Sequence, residues 1–152
     1  MVKIGGEVNE NTLTGLIEGA LSLVMLFSDD KLIGTAAIKQ PYDGYRKNVF
    51  EKAKVSSLAD SYQLELGWIV VDPNHRGQGH AKTLIEKALD DQFREKGIYA
   101  TTKNDTMHFL LNRFGFSLQG EPYPSSQNRD VNLTLFARPG MHCSRTPDLG
   151  RG

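Results

Sequence analysis

The sequence predicts an α/β fold in one domain, on three observations. Residues 64–71 form a nearly continuous apolar run, which indicates a strand buried on both faces. Residues 81–93 carry apolar side chains at three-and-four spacing, which indicates a helix packed on a core, and Gly97 is placed to end it. Two further apolar runs, 21–27 and 32–38, flank the polar turn Ser28-Asp29-Asp30-Lys31 and predict a hairpin.

The other elements follow from the same periodicities. Gly67 interrupts the apolar run and indicates a bulge or a close approach of another chain segment. The remaining predicted elements are a strand at Val2 to Ile4, a helix capped by Asn11 or Thr12, a helix near 45–54, a strand at 98–101, a helix begun by Asn104 and Asp105 and ended by Gly115, and strands at 116–118 and 131–137 separated by a turn at 120–127.

The length, charge and cysteine content of the chain exclude or disfavour several classes of function. A chain of 152 residues suits one domain, and 18 basic against 18 acidic side chains give zero formal charge. Bulk nucleic-acid binding is therefore disfavoured. Cys143 is the single cysteine, so no internal disulfide and no Cys-x-x-Cys zinc site can form. No secretory signal is evident, and the apolar run at 21–27 is too short to span a bilayer. We expect a cytoplasmic protein without membrane contact.

The loop between the buried strand and the following helix has the character of an anion site. The first turn of a helix has free N–H groups and a partial positive charge, which attract phosphate. Gly77 and Gly79 lack side chains that would hold a phosphate away, and Arg76 adds a full charge. A P-loop pattern is absent from the sequence, and the third glycine of a dinucleotide fingerprint is missing because Lys82 follows.

Residues 65–81 resemble the core motif of the GNAT superfamily of acyl-CoA N-acyltransferases, E-L-x-x-L-A-V-x-P-x-x-[RQ]-G-x-G-x-[GA]. The family usually continues with a strand, an Asn, a short helix and Gly-Phe, and Asn104 and Gly115-Phe116 reproduce that spacing. The resemblance covers roughly 62–137. It implies a GNAT-type fold: a mixed, mostly antiparallel twisted sheet flanked by helices, with acyl-CoA bound where the fourth and fifth strands splay apart.

The resemblance implies that the protein is an acetyltransferase using acetyl-CoA, with pantetheine along the strand and pyrophosphate on the loop. A backbone N–H near Val70 would polarise the thioester carbonyl. The implied cofactor-binding residues are Ile69, Val70, Val71, Arg76, Gly77, Gln78, Gly79, His80, Ala81 and Asn104. His75 and His80 flank the loop, but two histidines without a third ligand make a poor metal site, so no metal is expected.

Two residues are candidates for acid–base work. Glu65 lies where histone-acetylating members place their general base; the alternative is a structural carboxylate exposed at a sheet edge or paired with Lys or Arg. Leu111 replaces a tyrosine that protonates the departing thiolate in many members. His108, one turn earlier, is the candidate substitute, and the alternative for it is a solvent-facing helix residue. Leu111 also motivates a second hypothesis, a GNAT-fold module that binds acyl-CoA with little or no turnover.

The expected partner is an amine-bearing small molecule or peptide, which the sequence does not name, and acyl groups longer than acetyl stay open. A third hypothesis, phosphate or nucleic-acid binding through the basic loop, is disfavoured by the balanced charge. The aromatic and basic segment 42–50 lies where this family often builds its acceptor wall, or it is a solvated helix face. We assign residues 1–138 to the domain and 139–152 to a tail, and expect a homodimer whose interface the tail lines.

Overall fold

The computed structural model describes residues 20–126 and 128–141 of the chain. The predicted strand at Val2 to Ile4 and the predicted helix from Asn11 or Thr12 lie outside these residues. In chain order the elements are β1 (Ala20–Ser28), β2 (Lys31–Lys39), α1 (Asp43–Lys52), β3 (Leu64–Val71), α2 (His80–Ala88), β4 (Ile98–Thr102), α3 (Asp105–Arg113), β5 (Ser117–Pro124) and β6 (Asn132–Arg138). Short 3₁₀ turns occupy Ser56–Ser61, Pro73–His75 and Asp91–Phe93.

The described strands form one six-stranded sheet in the order β1-β2-β3-β4-β6-β5. Each neighbouring pair is antiparallel except β3 and β4, which are parallel. The predicted mixed, mostly antiparallel sheet flanked by helices is therefore confirmed. No helix among the described residues is both long and apolar enough to cross a membrane.

The predicted hairpin of β1 and β2 is present, and its turn explains the two aspartates. Asp29 and Asp30 both have positive φ, 51° and 68°. A two-residue hairpin turn of type I′ needs φ above zero at both central positions, and aspartate tolerates a positive φ better than most residues do. The acidic pair therefore sets the register of the hairpin.

The helix predicted over 81–93 is shorter than expected. α2 ends at Ala88, Asp90 is extended, and Phe93 follows on a 3₁₀ turn, from which its side chain still packs in the core at 6% exposure. Gly97 does not end the helix. A Cβ there would lie 2.0 Å from the carbonyl oxygen of Ser61, so glycine is required for the close approach of two backbone segments.

Strand β5 is longer than predicted, because residues 120–124 do not form a turn. The ladder with β6 breaks after Gln119 and resumes where Tyr123 pairs with Leu133. Between these points Gly120 has φ of 67°, and the Glu121 N–H donates to the carbonyl of Ala53 at 2.9 Å. The turn-forming residues therefore make a bulge inside one strand.

The two faces of the sheet bury separate cores. Helices α2 and α3 cover one face, here called the α2–α3 face, where Leu64, Leu66 and Leu111 belong to one apolar cluster. Helix α1 covers part of the other, the α1 face, where Phe50 packs edge-on against Tyr99 with ring centroids 5.1 Å apart. Alternation along a strand decides which residues reach each core.

Candidate active site

Strands β3 and β4 run side by side only briefly before they part. Their register contains two pairs, Leu64 with Ile98 and Glu65 with Tyr99. Beyond Glu65, β3 continues to Val71 in register with β2 on its other side. Its edge toward β4 is thus open over residues 66–71, and at about 3.3 Å per residue this open edge is roughly 20 Å long. An extended chain with amide groups could bind along it as an extra strand.

A bulge interrupts β3 in the middle of that open stretch. Trp68 and Ile69 oppose one residue of β2, because Gly67 pairs with Ala37 and Val70 pairs with Thr35. Trp68 has φ of 54°, which is rare for a bulky side chain. The Thr35 hydroxyl donates to the Trp68 carbonyl at 2.7 Å and stabilises this conformation. The bulge lies beside Gly67, where the sequence predicted one, and such bulges re-aim side chains near active sites.

The junction between β3 and the loop is fixed by Asp72. Its carboxylate accepts the Asn74 N–H at 3.0 Å and lies 3.3 Å from Lys31 Nζ. The backbone hydrogen bond and the lysine together hold the pKa of Asp72 below its usual range, against a smaller opposing effect of burial. The Asp72 N–H also donates to the carbonyl of Ile33 at 2.7 Å. The loop therefore begins from a rigid point on the sheet.

The predicted anion loop is open around both of its glycines. Gly77 and Gly79 have φ of 78° and 81°, and a Cβ built on either would meet no atom within 4 Å. Gly79 is the N-cap of α2, so the first N–H groups of the helix point toward this open space. Arg76 Nε donates to the carbonyl of Val71 at 3.1 Å, which orients the guanidinium beside the loop. His80 Nε2 lies 3.1 Å from Gln78 Oε1.

Glu65 is buried, at 6% exposure, in a strand whose neighbours on either side enter the apolar core. Its Oε1 lies 3.5 Å from Lys39 Nζ. The alternative of an exposed carboxylate at a sheet edge is therefore wrong, whereas the pairing with a lysine is present. A buried, paired carboxylate is compatible both with a structural ion pair and with a general base.

The charge of Glu65 affects the pKa of tyrosines from three elements, α1, β4 and β5. Burial and the charge of Glu65 raise the pKa of Tyr123 to about 12. The same two causes, burial first, raise the pKa of Tyr45 and of Tyr99 well above the ordinary value. All three hydroxyls therefore remain protonated near neutral pH. The Glu65 carboxylate therefore has neutral tyrosine hydroxyls within its electrostatic reach, and an ammonium group, that of Lys39, 3.5 Å away.

The second predicted acid–base residue is on the opposite side of the sheet. The His108 ring packs on the Phe136 ring at 4.9 Å between centroids. Phe136 belongs to the core of the α2–α3 face, whereas Glu65 shares the α1 face with its partner Tyr99. His108 is half-buried, so the description of a solvent-facing residue does not fit it. The structure does not bring His108 and Glu65 together.

Helix α3 places two further residues of interest. Asn104 is its N-cap: Oδ1 accepts the N–H groups of Thr106 at 2.8 Å and Met107 at 3.4 Å. That leaves the side-chain amide nitrogen as the atom Asn104 can offer to a ligand. Leu111 is fully buried in the core of the α2–α3 face, so its side chain serves packing.

The segment 42–50 was predicted to be either part of the acceptor wall or a solvated helix face, and its residues differ in which of these they fit. Arg46 is buried and bonds Asp43 at 2.8 Å and Asp60 at 3.3 Å, so its charge is used within the fold. Tyr42 is 89% exposed. Tyr45, from the same segment, is affected by the charge of Glu65.

Sequence reasoning missed Lys39, which pairs with Glu65 and lies 5.1 Å from the centroid of the Trp68 ring. It also missed the roles of Asp72 and Thr35. A lysine at the end of a predicted strand gives no local signal, because its partner is decided by the register between β2 and β3. Asp72 did carry a signal, since an aspartate before Pro73 is a common start for a turn.

Comparison with known proteins agrees with this geometry. Parted parallel strands beside a glycine loop at a helix N-terminus define the class of acyl-CoA N-acyltransferases. Residues 8–116 match the profile of the acetyltransferase (GNAT) family, so the chain belongs to this family and is an acetyltransferase. No curated protein matches the chain in sequence.

Three solved structures illustrate the shared fold. An acyl-CoA N-acyltransferase from Pseudomonas aeruginosa is 19% identical with a TM-score of 0.55, and the match covers 76% of this chain and 66% of that one. The ribosomal-protein-S18-alanine N-acetyltransferase of Escherichia coli is 20% identical, with a TM-score of 0.61 and coverage of 88% and 79%. A phosphinothricin acetyltransferase from Sinorhizobium meliloti, solved with AcCoA, is 18% identical, with a TM-score of 0.63 and coverage of 92% and 72%.

Proposed function

We propose that the protein transfers an acetyl group from acetyl-CoA to a primary amine by direct attack, with Glu65 as the general base. The observation that carries this proposal is the position of a buried carboxylate at the last paired residue of two parting strands. The glycine loop lies at the other end of the same open edge. One extended ligand could therefore occupy the loop and reach Glu65.

The residues present fit acetyl-CoA. Gly77 and Gly79 leave open space where side chains would stand, and α2 directs its first N–H groups there. Arg76 supplies a positive charge beside them, and the side chains of Gln78 and His80 and the backbone of Ala81 complete the loop. The backbone of Ile69, Val70 and Val71 would bind the pantetheine amides, and the Asn104 amide nitrogen is a further donor. When bound, acetyl-CoA supplies the activated thioester carbon.

Glu65 would remove the proton that an amine carries at neutral pH. An ordinary amine has a pKa near 10, so it is mostly protonated and cannot attack until the proton is taken. The buried Tyr99 and Tyr123, whose pKa values burial and the Glu65 charge raise, shield part of the site from bulk water. Each acceptor would therefore enter as an ammonium and react as an amine.

Departure of the CoA thiolate depends less on a catalytic residue than deprotonation of the amine does. A thiol with a pKa of about 8.5 is a fair leaving group without a proton donor, which makes the buried Leu111 compatible with turnover. We retain His108 as the candidate donor, acting from the α2–α3 face at the opening between the strands. Its half-buried ring would have to reach that opening from its contact with Phe136.

The acceptor, the compartment and the assembly are also proposals. We propose an amine-bearing small molecule or peptide, a cytoplasmic location consistent with the neutral charge and single cysteine, and a homodimer. Light scattering on the full chain and on a chain ending at Arg138 tests the dimer. The truncation removes Met141, whose N–H donates to the Arg94 carbonyl at 2.8 Å, so folding must be verified by circular dichroism. A dimer lost on truncation supports the proposal, and a monomer in both contradicts it.

A thiol-release assay tests the reaction. The full chain is incubated with acetyl-CoA and with a panel of polyamines, amino acids, N-terminal peptides and lysine peptides, and free CoA is followed with a thiol reagent. Release that depends on one acceptor class supports the proposal and names the acceptor. Tight binding of acetyl-CoA without release for any amine would instead favour the module without turnover.

A further inference from the structure

The side chain of Lys39 extends from β2 over the face of β3 and reaches the candidate base, Glu65. Lys39 leaves β2 opposite Glu65, and its side chain passes over Gly67, the next residue on the same face of β3. A Cβ at Gly67 would lie 2.9 Å from Lys39 Cε and 3.0 Å from Nζ. Any other residue at this position would compete with the lysine for space. The absent side chain of Gly67 therefore provides the path by which an amine enters the site.

The ammonium end of Lys39 has two contacts, one with a carboxylate and one with an aromatic ring. Nζ lies 3.5 Å from Glu65 Oε1 and 5.1 Å from the centroid of the Trp68 ring, and the lysine side chain is only 22% exposed. Trp68 belongs to the bulge on the open edge of β3. A primary amine is thus positioned beside a carboxylate at the level where the thioester is proposed to bind.

We propose that Lys39 is itself an acceptor, acetylated on Nζ by acetyl-CoA bound to the same chain. This inference rests on the proposed function. Glu65 takes a proton from the Lys39 ammonium, the Nζ lone pair forms a bond to the acetyl carbon, and the carbon–sulfur bond breaks. CoA leaves as the thiolate, and the amide nitrogen loses its second proton to solvent, so the products are neutral acetyl-Lys39 and CoA.

The modification would change the site in a defined way. Acetylation removes the charge of Lys39, and with it both the ion pair to Glu65 and the cation–π contact to Trp68. Glu65 would then lose its ion pair with Lys39. The environment offered to an incoming ammonium therefore differs between the two forms.

The chain contains a matched control for this lysine. Lys54 Nζ lies 3.5 Å from Glu121 Oε1, the same separation as in the Lys39–Glu65 pair, but those side chains are 73% and 65% exposed. Uncatalysed acetylation by acetyl-CoA in solution favours exposed amines. A preference for Lys39 over Lys54 would therefore require the site, whereas the reverse preference would indicate chemical modification alone.

The experiment is a time course of the full chain with acetyl-CoA, followed by peptide mass spectrometry. We expect Lys39 to be modified at least about tenfold faster than Lys54, because a held amine gains effective concentration. The rate should not depend on protein concentration. Glu65→Gln should slow modification of Lys39 by about 10²-fold or more and leave Lys54 unchanged. Gly79→Asp, at an exposed position of the loop, is the second variant and should also protect Lys39.

Three results would overturn the inference: equal rates at Lys39 and Lys54, a Lys39 rate unchanged by either variant, or a rate that rises with protein concentration. Calorimetry with acetyl-CoA separates this failure from failure of the proposed function. A chain that binds acetyl-CoA and acetylates an added amine while Lys39 stays unmodified contradicts only the present inference. A chain that does not bind acetyl-CoA contradicts both.

Discussion

Glu65 and Tyr99 form the last registered pair of the two parallel strands, and their side chains lie on the same face of the sheet. The Tyr99 hydroxyl is buried and has no hydrogen-bond partner among the residues that the structure describes. Burial and the nearby Glu65 charge raise its pKa, so it stays a neutral donor. A carboxylate and an unpartnered hydroxyl thus occur together at the point where the strands part.

The first prediction concerns that hydroxyl. Leaving a buried donor unpaired costs about 1–3 kcal/mol, so Tyr99→Phe should leave the free energy of unfolding unchanged or raise it by about 1 kcal/mol. Urea unfolding measures the difference, with Tyr42→Phe, at an exposed position, as the matched control. A loss of stability specific to Tyr99→Phe would mean that the hydroxyl has a partner in solution.

The second prediction concerns the base. Glu65→Gln keeps the shape of the side chain and removes its capacity to take a proton, so turnover should fall about 10²–10⁴-fold with little change in acetyl-CoA affinity. Glu121→Gln is the control, since Glu121 also pairs with a lysine at 3.5 Å but lies at the surface. Equal rates in wild type and Glu65→Gln would return Glu65 to a structural role.

The third prediction concerns pH and the anchor of the loop. The pKa of Asp72 is lowered, so its ionised form stabilises the folded chain above the ordinary value of 3.8, and this contribution is lost as the pH falls through the lower folded value. Asp72→Asn should therefore be less stable than wild type at neutral pH. The difference in free energy of unfolding between the two proteins should disappear below about pH 4.

Denaturant unfolding of wild type and Asp72→Asn across this range measures this difference, with Asp130→Asn at an exposed position as the control. A stability difference that is constant with pH would show that Asp72 acts through its hydrogen bonds alone and not through its charge.

The fourth prediction concerns Leu111. Its side chain is fully buried, so a tyrosine there would overpack the core and bury a hydroxyl. Leu111→Tyr should lower the free energy of unfolding by about 1–3 kcal/mol without raising turnover, whereas the volume-conserving Leu111→Met should cost less than about 1.5 kcal/mol. A stable and faster Leu111→Tyr enzyme would contradict this and show that the position reaches the open strands.

Features decided by neighbouring residues could be predicted from the sequence. The open space at Gly77 and Gly79 and the cap at Asn104 are local properties, and the sequence predicts both, whereas it did not predict the positive φ of the two glycines. The pairing of Lys39 with Glu65 was not, because it depends on a register between two strands that a bulge shifts. The separation of Lys39 and Glu65 along the chain does not indicate that the two side chains are in contact.

Which face of the sheet a residue occupies was likewise beyond sequence reasoning. His108 and Glu65 were both candidates for proton transfer, yet the first packs on Phe136 and the second shares a face with Tyr99. The difference arises from alternation along β3 and β4 and from the side on which α3 packs. Neither is visible without the order of the strands.

Calorimetric titration of acetyl-CoA into wild type, Gly79→Asp and Gly79→Asn tests most directly whether the loop binds the pyrophosphate. Asn tolerates the positive φ of this position and adds similar bulk without charge, so the pair separates charge from size. We predict that wild type binds, that Gly79→Asn binds more weakly, and that Gly79→Asp loses at least about a further tenfold through repulsion of the pyrophosphate. Equal affinity in all three proteins would contradict the assignment of the loop.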